Sequence, residues 1–446
     1  MEKKRRESSE IGNQCTNIYI IFLKEKKKSH NNVYYQFVVE LPCRPATFVN
    51  VHDLLLSTCD TLTDLTIHSG VGNTLLDTIL DHCPNLVSFQ YLLSGSFYNF
   101  ARQQPQNNNT KRALKTKLRR LILDIPLNEQ KVLSILSSCP NLSQLQLRSS
   151  DMRFGYFDAI LMYIHQYHSK LEYLRLFGTS TRHASSLSYP TCFPPLSLSS
   201  PSPSSLTQPQ HLRELWLIGT DEGSSTHIIP FIYQHHTTLT SLHIRSPITP
   251  NCMYHLASFS YPALEELYIQ LTHYSPLAND LCTFIRHAPH LIRISLSSFT
   301  STNTVSDQIL DVLPSSIQQF KLQQGYNNIV HHDIITSEAL IRFLKRSISI
   351  QEFYLPTVQA FNNNCLDLLS SIHKESLTTL DLYGNEQITD NGLQRFVDNI
   401  SSSNNDSNKN NNSKKLQLLN LGQCTLITPN MINYVKNRLP YIKIYN

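Results

Sequence analysis

One apolar cadence recurs fourteen times along this chain of 446 residues: an aliphatic residue, two residues of any kind, a second apolar residue, one of any kind, and a third. It is clearest at Leu142, Leu145 and Leu147 and again at Leu212, Leu215 and Leu217. With Ile, Phe or Tyr standing in, it opens at Leu62, Leu86, Leu118, Leu142, Leu171, Leu212, Leu239, Leu264, Leu291, Ile317, Ile350, Leu377, Leu416 and Leu439. The intervals run from 23 residues (Leu416 to Leu439) to 41 (Leu171 to Leu212). The last two apolar positions are two apart, the period at which a strand returns to the same face. Leu145 and Leu147 are therefore predicted to face a core, and Gln144, Gln146 and Arg148 to face away. A unit this short cannot bury its own apolar side, so neighbouring units must stack.

About ten residues after a cadence, apolar residues recur at helical spacing. Examples are Leu75, Leu76, Ile79 and Leu80; Val132, Leu133, Ile135 and Leu136; Leu281, Phe284 and Ile285; and Ile309, Leu310 and Leu313. Helix-start residues precede several of these runs: Ser306-Asp307, Ser337-Glu338, Thr389-Asp390, and Thr428 followed by Pro429. Each unit reads as strand, turn, helix and return. The chain is accordingly an α/β leucine-rich-repeat solenoid, expected to be a curved horseshoe with parallel strands on its concave face and helices on its convex face. A doubly wound α/β domain also alternates strands and helices. It does not repeat one leucine spacing at a near-constant period.

Composition divides the chain into three parts. Residues 1–32 hold eight Lys/Arg and four acids and are expected to be a disordered basic segment, in which Lys3 to Arg6 reads as a solvated tail or as a nuclear-import signal. Residues 33–61 are expected to form an N-terminal cap, with Val33 to Leu41 as an edge strand. Residues 62–446 form the solenoid of about fourteen repeats. Low-complexity inserts interrupt it at 94–117, 179–210 and 401–415, where Gln, Asn, Ser and Pro dominate. These inserts lack the apolar surface that would offset ordering entropy. Ser200-Pro201 and Ser202-Pro203 are candidate phosphorylation sites at Ser200 and Ser202.

The net charge of +5 falls to about +1 once the +4 of residues 1–32 is set aside. A near-neutral solenoid lacks the basic face that nucleic acid requires. No apolar run approaches the length of a membrane span and no secretory leader is evident, so a cytoplasmic or nuclear location and no membrane partner are expected. The ten cysteines include no Cys-x-x-Cys pair. Cys59, Cys83 and Cys139 each stand three residues before a cadence, as small apolar groups in a reduced core. Phosphate-binding glycine loops, His-Glu-x-x-His and Gly-x-Ser-x-Gly are absent, and His235-His236 and His331-His332 read as loop histidines. No catalytic residue, metal or cofactor is expected.

The last repeats carry a more specific pattern. Leu377, Leu380, Leu382 and Asn385 precede Ile388-Thr389-Asp390; Leu416, Leu419, Leu421 and Cys424 precede Ile427-Thr428. Cys83-Pro84-Asn85-Leu86 and Cys139-Pro140-Asn141-Leu142 add a Cys-Pro before the next cadence. This resembles the cysteine-containing, ribonuclease-inhibitor-like leucine-rich repeat of F-box/LRR proteins. Elsewhere Ser94, Ser150, Thr179, Thr220 or Thr272 stands at the Cys/Asn position, and Pro126, Pro247 and Phe299 depart from it. The resemblance implies a non-catalytic substrate receptor of a cullin-type ubiquitin ligase, which would dock the ligase adaptor through an F-box. No F-box is recognisable here; Leu41-Pro42 lies only twenty residues before Leu62. Tight adaptor docking is expected only if an F-box precedes this chain.

The outward strand positions nominate a partner-binding face on repeats five to eight: Tyr173, Arg175 and Phe177; Glu214 and Trp216; His243 and Arg245; Glu266 and Tyr268. Trp216 is the single tryptophan, and Trp, Tyr and Arg dominate interface energetics. Two readings stay open. The aromatics serve a protein partner, or they pack against one another and under the 179–210 insert. The competing functions are a leucine-rich-repeat GTPase-activating protein and a scaffold or stoichiometric inhibitor.

Overall fold

The computed structural model describes residues 19–23, 35–40, 59–68, 74–92, 114–125, 127–149, 155–178, 211–219, 225–248, 250–271, 277–298, 307–323, 335–402 and 416–446. The 179–210 insert with Ser200 and Ser202 lies outside them, as do His331, His332 and the five Ser/Thr residues at the Cys/Asn position. Two units divide the chain: Met1–Leu127 with Ser134–Ser150, and Asn128–Leu133 with Asp151–Asn446. The boundary passes through the helix Glu129–Ser138.

Every cadence yields one strand. In the first unit these are β3 (Leu62–His68), β4 (Ser88–Leu92), β5 (Arg120–Asp124) and β6 (Gln144–Ser149), parallel and in sequence order. Two strands precede them. The first, β1 (Tyr19–Leu23), runs antiparallel to β2 (Tyr35–Glu40), which pairs in parallel with β3. The expectation of a disordered 1–32 therefore fails for Tyr19–Leu23, and within the expected edge strand Val33 to Leu41 the strand Tyr35–Glu40 has a neighbour on each side. The apolar run Tyr19-Ile-Ile-Phe-Leu23 is short, but it suffices when a strand edge beside it supplies the hydrogen bonds.

The second unit continues with β7 (Tyr173–Gly178), β8 (Glu214–Ile218), β9 (Ser241–Ile248), β10 (Glu266–Leu271), β11 (Arg293–Ser298) and β12 (Gln319–Gln323). Four three-residue strands follow: β13 (Glu352–Tyr354), β14 (Thr379–Asp381), β15 (Leu418–Asn420) and β16 (Lys443–Tyr445). From β7 to β16 each strand pairs in parallel with the next. A helix lies between most successive strands and packs on the helix of the next repeat. This is the α/β leucine-rich-repeat solenoid that the cadence predicts.

The core is the cadence itself. Leu174, Leu176, Leu215, Leu217, Leu242 and Leu267 are buried, together with helix residues such as Ile232, Leu256, Leu281 and Phe343. The Phe320 ring of β12 lies 5.2 Å from Phe343 of the helix Ser337–Arg346 and 5.7 Å from Phe353 of β13. Strand and helix thus share an apolar layer within each unit, in which one repeat covers the next. Cys83 and Cys139 are buried in the first unit, and Cys252, Cys282, Cys365 and Cys424 in the second.

Polar bonds set the register between repeats. Asn385 is fully buried and donates from Nδ2 to the Leu355 and Leu382 carbonyls, each at 2.8 Å; Cys424 Sγ donates to the Leu382 carbonyl at 3.1 Å. The Cys/Asn position therefore adds a side-chain donor to carbonyls where the chain leaves the strand; the Leu382 carbonyl also accepts from Asn385 N at 3.2 Å. On the helical side, Asp307 accepts from Thr336 N and Oγ1, and Asp390 accepts from Thr428 N and Oγ1. Each aspartate fixes the helix cap of the following repeat. The helix Ser337–Arg346 starts at Ser337 as expected, with Thr336 as its cap. Thr428 caps the last helix, with Pro429 in its first turn as expected.

Candidate protein-binding face

Strand alternation in β7 to β10 leaves one residue in two on the face away from the buried leucines. Pairing places these residues in rows. Tyr173, Glu214, Ser241, Glu266 and Arg293 are level with one another. Arg175, Trp216, His243, Tyr268 and Ser295 form the next row, and Phe177, Ile218 and Arg245 a third. All nine sequence-nominated residues thus lie on one face. Arg245 is exposed, and the other eight are half-buried.

The central row is a stacked column. The Arg175 guanidinium carbon lies 4.0 Å from the Trp216 ring centroid. On its other side Trp216 stacks on His243, with centroids 4.1 Å apart and planes at 11°. His243 in turn stacks on Tyr268 at 5.6 Å and 12°, and Phe177 meets Trp216 edge-on at 6.2 Å. Parallel strands set residues of one row about 4.8 Å apart, close to a stacking distance, so flat side chains in one row stack. Both faces of Trp216 are covered by its neighbours. The reading in which the aromatics pack against one another accounts for those faces. Trp216 Nε1 is buried without a hydrogen-bond partner among the described residues.

The first row fixes the charges. Arg175 Nε donates to Glu214 Oε1. Glu266 Oε2 accepts from Ser241 Oγ at 3.1 Å and lies 3.4 Å from Arg293 Nη2, while its Oε1 is 3.3 Å from His243 Nε2. The close approach of the His243 ring holds the Glu266 carboxyl down to about 2 against its partial burial, with the Arg293 charge and Ser241 adding to it. A carboxylate stabilised this way stays ionised and cannot serve as a proton donor near neutral pH. Ser241 and Arg293 were absent from the nominated set. Their register with Glu266 in the same cadence position is the signal that finds them.

One strand departs from the pattern. β9 pairs with β10 through Ile244 and then Ile248, so the stretch Arg245 to Pro247 forms an irregularity at the third row. Pro247 has no amide hydrogen to give a ladder, which accounts for a break here.

His235 and His236 do not converge on a ligand. His235 is buried 4.8 Å from the Phe231 ring, and burial, with His165 nearby, pushes it down to about 4. His236 stacks on Tyr233. Among the described residues no group of three or more His, Cys, Asp or Glu is placed to hold a metal ion, and no helix is long and apolar enough to cross a membrane.

No family model and no curated protein matches the sequence. Among solved structures the chain is similar to one titled as the crystal structure of the Rad7 and Elc1 complex in yeast, at 12% identity and a TM-score of 0.46, over 90% of this chain and 87% of that one.

Proposed function

We propose that the chain is a protein-binding module with no turnover of its own, and that it grips its partner on the outer sheet face of β7 to β10. The stacked column of Arg175, Trp216, His243 and Tyr268 carries this reading. It holds large side chains half-exposed in fixed positions, so little conformational freedom is lost when a partner covers them. Tyr173 and Phe177 widen the same surface, and Glu214 and Glu266 fix its polar edge. The charged groups here are tied to one another rather than poised for proton transfer, and leucine-rich-repeat solenoids ordinarily present surfaces rather than catalytic pockets.

In its finer form, which rests on the sequence resemblance to F-box/LRR proteins, the partner is a substrate presented to a cullin-type ubiquitin ligase in the cytoplasm or nucleus. The test is affinity purification of the tagged chain from its native cells, followed by mass spectrometry, with wild type and Trp216→Ala side by side. A protein lost specifically from the Trp216→Ala sample supports the face. Recovery of cullin and adaptor supports the ligase assignment; a small GTPase in their place supports the GTPase-activating alternative. Retention of every partner by Trp216→Ala and by Tyr268→Ala would refute the face.

A further inference from the structure

We infer that the partner presents an acidic extended segment that crosses β9 to β12, with carboxylates seated at Arg245 and Lys321. This rests on the reading of the face as a protein-binding surface and specifies the chemistry it takes. Every acid of this face already has a donor. Glu214 accepts from Arg175, and Glu266 has Ser241, His243 and Arg293. Glu352 accepts from Gln319 Nε2 and Tyr354 OH, each at 3.0 Å, and Asp381 accepts from Tyr383 N at 3.1 Å.

Two cations of the face lack such a partner. Arg245 is exposed at the irregularity in β9, and Lys321 extends its ammonium over the Tyr354 ring at 5.5 Å. Neither is paired with a carboxylate among the described residues. Across β9 to β12 the charged outward residues are Arg245, Arg293 and Lys321 against Glu266 alone, so the surplus on these strands is positive, and a partner that covers them must neutralise it or desolvate two cations that have no carboxylate.

The spacing sets the partner's pattern. β9 and β12 are three strand steps apart, about 14 Å at roughly 4.8 Å per step. Arg245 stands two residues further along its strand than the row of His243, Tyr268, Ser295 and Lys321, which adds about 7 Å at right angles. The diagonal is roughly 16 Å, the reach of four to five extended residues at about 3.4 Å each. Side chains on one side of an extended chain are an even number apart, so acids at i and i+4 fit. Between the two cations the segment passes Tyr268 and the small residues Ser295 and Ser297. Tyr268 OH lies 3.5 Å from Ser297 Oγ, and Ser295 Oγ is buried without a partner among the described residues.

The test selects peptides on the intact chain from a displayed library of random twelve-residue sequences. Fluorescein-labelled copies are then measured by fluorescence polarisation against wild type, Arg245→Glu, Lys321→Glu and Trp216→Ala, with circular dichroism confirming that each variant is folded. The expected result is enrichment of acidic residues at i and i+4, a tenfold or greater loss of affinity with each charge reversal, and weaker binding as salt rises. Peptides that lose affinity with Trp216→Ala but carry no acidic pattern, or that bind Arg245→Glu and Lys321→Glu undiminished, overturn the acidic segment and leave the face standing. Failure to select any peptide sensitive to the three face substitutions overturns both.

Discussion

Replacing Trp216 by Ala removes the middle of the stacked column. The ring has Arg175 at 4.0 Å on one face and His243 at 4.1 Å and 11° on the other. A cation over an aromatic face at a partly exposed site contributes about 0.5–1 kcal/mol, and an aromatic pair about 0.5–1.5 kcal/mol beyond its area. The two contacts together are worth about 1–2.5 kcal/mol, before the apolar area of the half-buried ring is counted. Trp216→Ala should therefore lower stability measurably as well as weaken partner binding by about 2 kcal/mol. The decisive assay is a double-mutant cycle in urea, followed by circular dichroism. It uses Trp216→Ala, Arg175→Met (which keeps an unbranched apolar stem) and His243→Ala, singly and in pairs. Contacting residues should show coupling of about 0.5 kcal/mol or more in each cycle. Additivity within about 0.3 kcal/mol for both pairs would mean that the column contributes nothing to the fold and that the stacking is incidental.

Gly219→Ala should be far more damaging than Gly384→Ala, although both glycines have positive φ, +82° and +67°. A Cβ on Gly219 would stand 2.1 Å from the Gly178 carbonyl oxygen, which is backbone, whereas one on Gly384 meets the Thr357 methyl at 2.9 Å. Left-handed geometry alone costs about 1–2 kcal/mol, so Gly384→Ala should fall there and Gly219→Ala about 2 kcal/mol beyond it in urea melts. His235 gives a pH dependence: its folded value of about 4 is below the ordinary 6.5 because the buried ring resists charging. Stability from this residue is complete above pH 6.5 and falls as pH drops toward 4, where the unfolded chain takes up the proton and the folded chain does not. Wild type should lose about 2–3 kcal/mol more than His235→Leu between pH 7.5 and 4.5, and parallel stability curves for the two would discard the idea. Asp390→Ala should cost about 1 kcal/mol by releasing Thr428 N and Oγ1. Thr428→Ala shares with it only the Oγ1 bond to Asp390 and loses in addition the cap on Met431 N, so the double change should cost less than the sum of the two singles; full additivity would show that the two residues act independently.

The repeat architecture was legible in the sequence because it depends on periodicity alone. Leu174, Leu176, Leu215 and Leu217 must be buried whatever surrounds them, since only alternate strand positions can share a core. The cap at Thr428 and the buried cysteines follow from local chemistry in the same way. The strand Tyr19–Leu23 was missed because its signal is an edge to pair with, which exists only once β2 and β3 are in place. The nine face residues fall in rows because strand spacing puts equivalent cadence positions level with one another. What they do to one another was beyond the sequence. Whether Arg175 stacks on Trp216, whether Glu266 is held by His243 and Arg293, and whether Arg245 is left without an acid all depend on register. A slip of one residue would send each side chain to the opposite face. Periodicity in one dimension specifies which side chains leave the core. Only the pairing of strands far apart in sequence decides which of them meet, and so which charges remain for a partner.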